Sequence, residues 1–243
     1  MKLCVIGGAG ARSAFLTKSL VKSTRDIRVD HIVLLDNDQQ KLKTYWEISR
    51  ELSRRLDPDL TFEVTSDARA ALTGVDYIIT TIRAGGDAGR LFDEQTCLAH
   101  GVLGQETTGA GGFAMAIRSV PTLVYYCTLA REVANPGHLI FNFTNPSGII
   151  TQALRSKGFD NVYGICDAPS GFIKQLEEIL EIPYGTLDIE CYGLNHLSWF
   201  RNAKVNGRDV QRELLDNPRT YEHSEMRLFT REMARISGDC MLN

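Results

Sequence analysis

The sequence predicts an α/β fold: a Rossmann-like, doubly wound parallel sheet followed by the start of a second, α+β domain. Three observations lead there. Short aliphatic runs alternate with helix-length amphipathic stretches through the first two-thirds of the 243 residues, the pattern of strand–helix–strand units. The first run leads straight into Gly7-Gly8-Ala9-Gly10. After about Leu187 the rhythm changes to two alternating runs and a turn signal at Asn206-Gly207.

Taken in order, residues 3–6 form a buried strand and residues 11–22 an amphipathic helix. A second apolar run, 32–35, precedes a charged helix over 38–56. Residues 62–64 alternate as a short strand, and 67–72 form a brief helix capped by Ser66 or Asp67. Residues 77–81 are β-branched between Gly74-Val75-Asp76 and Gly85-Gly86, hence a strand. Residues 114–134 read as a long helix that Pro121 should kink. A strand at 139–143, a helix at 147–156, a strand at 162–165 and a helix at 171–180 complete the alternation. Residues 187–192 and 199–205 are expected as antiparallel strands, followed by a charged helical tail. The expected domains are 1–168, binding a dinucleotide, and 169–243, the beginning of a catalytic and substrate domain.

The bulk properties narrow the partners. With 27 basic against 30 acidic residues, the net charge is −3, which argues against a nucleic-acid groove or a membrane-surface patch. The longest apolar runs read as strand-length, so no membrane span is expected. The start reads as a first strand rather than a signal peptide. Cysteines at 4, 97, 127, 166, 191 and 240 show no C-x-x-C spacing and are expected as reduced thiols, mostly buried. Cys166 is the exception.

The glycines after the first strand join it to a helix, the setting in which backbone N–H groups approach a pyrophosphate. The match to G-x-G-x-x-G is partial, as Gly8-x-Gly10-x-x-Ser13. Asp36 closes the second strand where an acid bonding the ribose 2′-hydroxyl is expected, which favours NAD over NADP. Gly7, Gly8, Gly10, Asp36 and Arg83 make up the expected cofactor set. A glycine turn that binds no cofactor is the alternative.

Two segments carry potential metal ligands, Gly164-Ile165-Cys166-Asp167 and Gly193-Leu194-Asn195-His196. Each stands where a predicted strand gives way to a loop. Singly, each residue reads as a buried thiol or a loop histidine. Together a thiolate and an imidazole suit a borderline divalent metal, with positions left open for substrate. Asp167 is a third ligand, a general acid or a cap for the next helix. Asn142 and Asn145, in Asn142-Phe143-Thr144-Asn145-Pro146, offer amides to a sugar or to the nicotinamide ribose, or else form an Asx-turn.

These motifs together resemble the NAD- and metal-dependent family-four glycoside hydrolases, the 6-phospho-β-glucosidases in particular. The resemblance runs in order through residues 5–8, Asp36-Asn37-Asp38, Gly85-Gly86 with Arg90 and Asp93-Glu94, and Gly104-Gln105-Glu106-Thr107-Thr108-Gly109. It continues through residues 142–148, 164–167 and 193–196. It implies hydrolysis of 6-phospho-glycosides by an oxidation–elimination route rather than by two carboxylates. NAD takes a hydride from C3 of the sugar, which acidifies the C2 proton. A metal, usually Mn²⁺, polarises the C2 and C3 oxygens. A base removes the C2 proton, the C1 substituent leaves, water adds and the hydride returns.

By the same resemblance Cys166 and His196 are the metal ligands, and Asn145 contacts substrate hydroxyls. Arg90 meets the sugar phosphate or is an exposed salt-bridging arginine, Gln105 and Glu106 line the site, and Asp167 is the catalytic candidate. A phosphorylated glycoside or disaccharide substrate implies a cytoplasmic location, and homo-oligomers are expected of the family.

Three departures stand out. Ala9-Gly10-Ala11-Arg12 replaces the family's Gly-Ser-rich stretch. Asp167 stands where β-specific members often carry asparagine, whereas some 6-phospho-α-glucosidases use an aspartate as acid. The family's tyrosine base and the rest of its second domain are expected past Asn243, so the sequence reads as the N-terminal half of such an enzyme. The alternatives are a 6-phospho-α-glucosidase, a lactate/malate-type NAD dehydrogenase and an inactive, truncated NAD-binding remnant.

Overall fold

Six parallel strands form the first sheet in the computed structural model, which describes residues 1–22, 29–56, 59–229 and 231–242. In chain order the elements are β1 (Lys2–Ile6), α1 (Arg12–Lys22), β2 (His31–Leu35), α2 (Gln39–Leu56), β3 (Thr61–Thr65), α3 (Ala68–Leu72) and β4 (Tyr77–Thr80). They continue as α4 (Gly86–Ala99), α5 (Gly109–Val133), β5 (Leu139–Asn142), α6 (Ser147–Ser156) and β6 (Val162–Gly164). The strand order is β3-β2-β1-β4-β5-β6, with every neighbouring pair parallel. The order in which strands are added reverses between β1 and β4, the switch point at which doubly wound sheets open a crevice.

β1 and β2 lack polar alternation because both of their faces are covered. Cys4, Ile6, Val33 and Leu35 pack on one side with Leu72, Ile78, Leu123 and Cys127. Leu3, Val5, Ile32 and Leu34 pack on the other with Val29 and Leu42. Each such aliphatic side chain contributes about 1.5–3 kcal/mol on burial. Asp67 caps α3, accepting from the N–H groups of Arg69 and Ala70.

Two helices depart from the expectation. α4 was not anticipated, and α5 begins at Gly109 rather than at 114. A Cβ on Gly111 or Gly112 would stand 2.7 Å from backbone atoms of Gln105 or Thr107, so these glycines let the preceding loop lie against the helix. α5 runs continuously through Pro121. Among the described residues it is the one helix long and apolar enough to cross a bilayer, which the reading of strand-length apolar runs overlooked. Its inward side chains Leu123, Cys127 and Ala130 belong to the core beneath the sheet.

The chain divides into two compact units, Met1–Ile165 and Cys166–Asn243; the boundary read from the sequence lay at 168. The second unit contains α7 (Ala168–Ile179), β7 (Leu187–Leu194), β8 (Leu197–Val205), β9 (Arg208–Asp209), α8 (Gln211–Asp216) and α9 (Pro218–Glu222). A 3₁₀ turn at Glu225–Leu228, α10 (Arg231–Ser237) and β10 (Cys240–Leu242) follow. Its sheet is antiparallel, in the order β10-β8-β7, with β9 paired to β8. Phe172 and Phe200 meet edge to face at 4.9 Å in its core. Asn206-Gly207 forms the expected turn, with both residues in the left-handed region. β10 was not expected in a tail that read as helical, and Asn243 lies outside the described residues.

Candidate active site

In the first unit a cleft of about 720 Å³ opens at the carboxyl ends of β1, β2 and β4. Gly7, Gly10, Asp36 and Arg83 line it. Gly7 has φ +88°, and a Cβ there would stand 2.7 Å from the Thr81 carbonyl oxygen. A Cβ on Gly8 would stand 2.6 Å from that of Leu34. These two glycines therefore draw the loop tight onto the sheet, and Leu35 O accepts from both of their N–H groups. Gly10 is not confined in this way; its Cβ would find nothing nearer than 3.9 Å. Ser13 holds the helix entrance, its hydroxyl donating to Gly8 O at 2.7 Å. Asp36 accepts from Ala9 N and from Asp38 N, both at 3.0 Å. It buttresses the glycine loop as well as lining the cleft.

A polar cluster of the same unit gathers on Glu106. Arg83 approaches one of its oxygens at 3.2 Å and Arg90 approaches the same oxygen at 3.8 Å. Asn145 donates to the other at 3.3 Å. Arg90 also donates to Glu94 at 2.7 Å, and this pairing holds its guanidinium pKa above the ordinary value. Asn145 precedes Pro146 across a cis peptide bond.

Asn142 is a correction. Its amide is fully buried: its oxygen accepts from Thr80 at 2.8 Å and its nitrogen donates to Thr151 at 3.1 Å. It ties β4, β5 and α6 together and offers nothing to a ligand. Sequence reasoning also missed a cross-link between α4 and α5, where Arg118 lays both Nη atoms on Asp93. Its Nε donates to Ala84 O at 3.2 Å. The sequence shows Asp93 only within the Asp93-Glu94 motif, since the helix that carries it, α4, has no clear apolar stripe.

In the second unit Cys166 Sγ and His196 Nε2 lie 3.9 Å apart. Cys166 precedes α7, and His196 occupies the two-residue turn Asn195-His196 between β7 and β8 with φ +60°. Gly193 makes the hairpin end possible; a Cβ there would stand 2.6 Å from Leu197 O. The hydrogen bond with His196 draws the Cys166 thiol pKa below its ordinary value, helped by the Ala168 N–H and Asn195 and opposed by burial. Asn195 Oδ1 is buried with no hydrogen-bond partner.

This donor set fits a borderline divalent ion. Bonds of about 2.3 Å to sulfur and about 2.1 Å to nitrogen reach across such a separation, and the residue before His196 holds a buried acceptor with no hydrogen-bond partner, Asn195 Oδ1. No group of three or more His, Cys, Asp or Glu ligands occurs among the described residues. Asp167 occupies the N-cap position of α7 and is exposed, but its carboxylate makes no capping hydrogen bond.

The fold and these groups define a Rossmann-like protein carrying a thiol–imidazole pair. The family model for family 4 glycosyl hydrolases matches residues 2–182, and the chain belongs to that family. It is 35% identical to 6-phospho-beta-glucosidase BglT of Thermotoga maritima, over 89% of this chain and 51% of that protein. It is 32% identical to the phospho-alpha-glucosidase PagL of Clostridium acetobutylicum, over 89% of this chain and 50% of that one. The structure of the Thermotoga maritima 6-phospho-beta glucosidase with manganese, NAD⁺ and glucose-6-phosphate matches with a TM-score of 0.89 and 30% identity, covering 100% of this chain and 57% of that one. The chain thus spans about half the length of the curated relatives it matches.

Proposed function

We propose that the protein hydrolyses 6-phospho-glycosides, 6-phospho-β-glucosides foremost, with NAD and a divalent metal, Mn²⁺ foremost. The observation that carries the reading is the Cys166–His196 pair at 3.9 Å with a depressed thiol pKa, in a family 4 chain. When bound, NAD supplies a hydride acceptor for the sugar and the metal supplies Lewis acidity at its hydroxyls.

The chain's own residues take up part of the remaining work. Gly7 and Gly8 hold the loop on the sheet through Leu35 O, Gly10 lines the cleft where a pyrophosphate would meet the backbone, Asp36 offers a carboxylate to a ribose hydroxyl, and Arg83 borders them. Cys166 as thiolate and neutral His196 hold the metal and leave its other positions open. Arg90 meets the sugar phosphate, Asn145 a sugar hydroxyl, and Asp167 carries a proton for the leaving group. A phosphorylated substrate, retained by cells, places the reaction in the cytoplasm.

The α-anomer is the second reading. It is favoured by Asp167, at a position where β-specific members often carry asparagine, and by the phospho-alpha-glucosidase relative. The test is release of nitrophenol from the α- and β-anomers of p-nitrophenyl glucoside 6-phosphate, with NAD and Mn²⁺ under reducing conditions. Release that requires both additives and disappears in Cys166→Ala and His196→Ala is expected. Release independent of NAD and metal overturns the proposal.

A further inference from the structure

We propose that Arg118 is a positioning residue for cofactor binding: it fixes the wall of the nucleotide cleft that carries Arg83. The inference rests on the NAD reading above. The segment between β4 and α4, Thr81 to Gly86, lines the cleft and ends in two left-handed glycines, Gly85 at φ +87° and Gly86 at φ +61°. Glycine leaves such a turn many backbone alternatives, and within it Gly86 N donates to Arg83 O at 2.9 Å. Thr81 N donates to Ile6 O and Ile82 N to Thr144 Oγ1. Those bonds anchor the strand end. Further on, the Ala84 carbonyl accepts from Arg118 Nε at 3.2 Å.

Arg118 is itself held rigidly. Both of its Nη atoms engage Asp93, which is 7% exposed, and Nη2 contacts Met115 Sδ at 3.7 Å. Gly85 and Gly89 let the guanidinium lie across the loop; a Cβ on either would come within 3.5 Å of it. The planar fork can serve Asp93 and Ala84 O together, whereas a lysine ammonium is a point charge that keeps the carboxylate and loses the carbonyl. Arg83 precedes Ala84, so release of that carbonyl loosens the backbone that carries the guanidinium, which pairs with Asp87 at 2.5 Å and Glu106 at 3.2 Å.

The test measures NAD binding by calorimetry, Mn²⁺ binding by electron paramagnetic resonance and thermal unfolding for the wild type, R118K and D93N. R118K is expected to bind NAD about tenfold more weakly, the cost of one hydrogen bond to a charged donor. Its Mn²⁺ affinity and melting temperature should stay near the wild-type values. D93N, which keeps the partner's shape but loosens the fork, should shift NAD affinity in the same direction by a smaller factor. It keeps the test decisive should R118K fail to fold. Wild-type NAD affinity in either variant overturns the inference, as does a parallel loss of NAD binding, Mn²⁺ binding and melting temperature. Absence of NAD binding by the wild type overturns the cofactor reading and this inference with it.

Discussion

Glu106 and Arg83 meet at 3.2 Å, the carboxylate 18% and the guanidinium 38% exposed. The same carboxylate takes the Asn145 amide on its other oxygen and has Arg90 at 3.8 Å. One acid therefore sets the positions of three side chains proposed to bind cofactor and substrate.

Glu106→Gln keeps the shape and removes the charge. Two partly exposed guanidiniums then lose their shared partner, and solvent screening moderates the loss. Steady-state kinetics should show kcat/KM for a 6-phospho-glucoside lowered by about tenfold, mostly through KM, in line with a loss near 1.4 kcal/mol. An unchanged KM would separate this cluster from substrate binding.

Asp36 predicts cofactor choice. Each of its oxygens already accepts one backbone N–H, and each retains a lone pair for a ribose hydroxyl, whereas a 2′-phosphate would meet a fixed negative charge. Calorimetry should find NAD bound more tightly than NADP. Asp36→Ala should weaken NAD by about tenfold and narrow the difference. Equal affinity of the wild type for both nucleotides contradicts the assignment.

The glycine loop separates packing from ligand contact. Gly8→Ala drives a Cβ to 2.6 Å from that of Leu34 and should cost about 1–3 kcal/mol in urea unfolding. Gly10→Ala, with nothing within 3.9 Å, should change stability by less than about 0.5 kcal/mol. The reverse order would mean that the loop does not pack on β2 as described.

The strands of the first sheet are legible because burial on both faces leaves them as unbroken aliphatic runs between glycine and polar punctuation. α4 is not. It opens with Gly86-Asp87-Ala88-Gly89 and leaves Leu91, Phe92 and Leu98 exposed, so no polar face sets off an apolar stripe. Without α4, Asp93 had no helix to stand on, and the Arg118 cross-link could not be inferred. Cys166 and His196 stand out as residue types, but their approach depends on a hairpin turn with a left-handed histidine, a conformation that local propensity does not favour. Asn142 looks the same as Asn145 in the sequence; only the Thr80 and Thr151 hydroxyls beneath it make it structural.

The thiol carries a pH prediction. His196 is the leading cause of the depressed Cys166 pKa, and a metal competes with the proton for the thiolate. Mn²⁺ affinity should therefore fall as pH drops through that lowered pKa and level off above it. In the metal-free protein, the pH midpoint for Cys166 alkylation by iodoacetamide should lie below that of an ordinary thiol and move upward in His196→Ala. A midpoint that does not move would show that His196 does not act on the sulfur.

The most direct test of the central claim is to run the hydrolysis in deuterium oxide, with NAD and Mn²⁺ present, and examine the released sugar phosphate by nuclear magnetic resonance. Transient oxidation at C3 with removal of the C2 proton predicts deuterium at C2, and no turnover in Cys166→Ala. Hydrolysis that leaves the C2 proton in place would contradict the account.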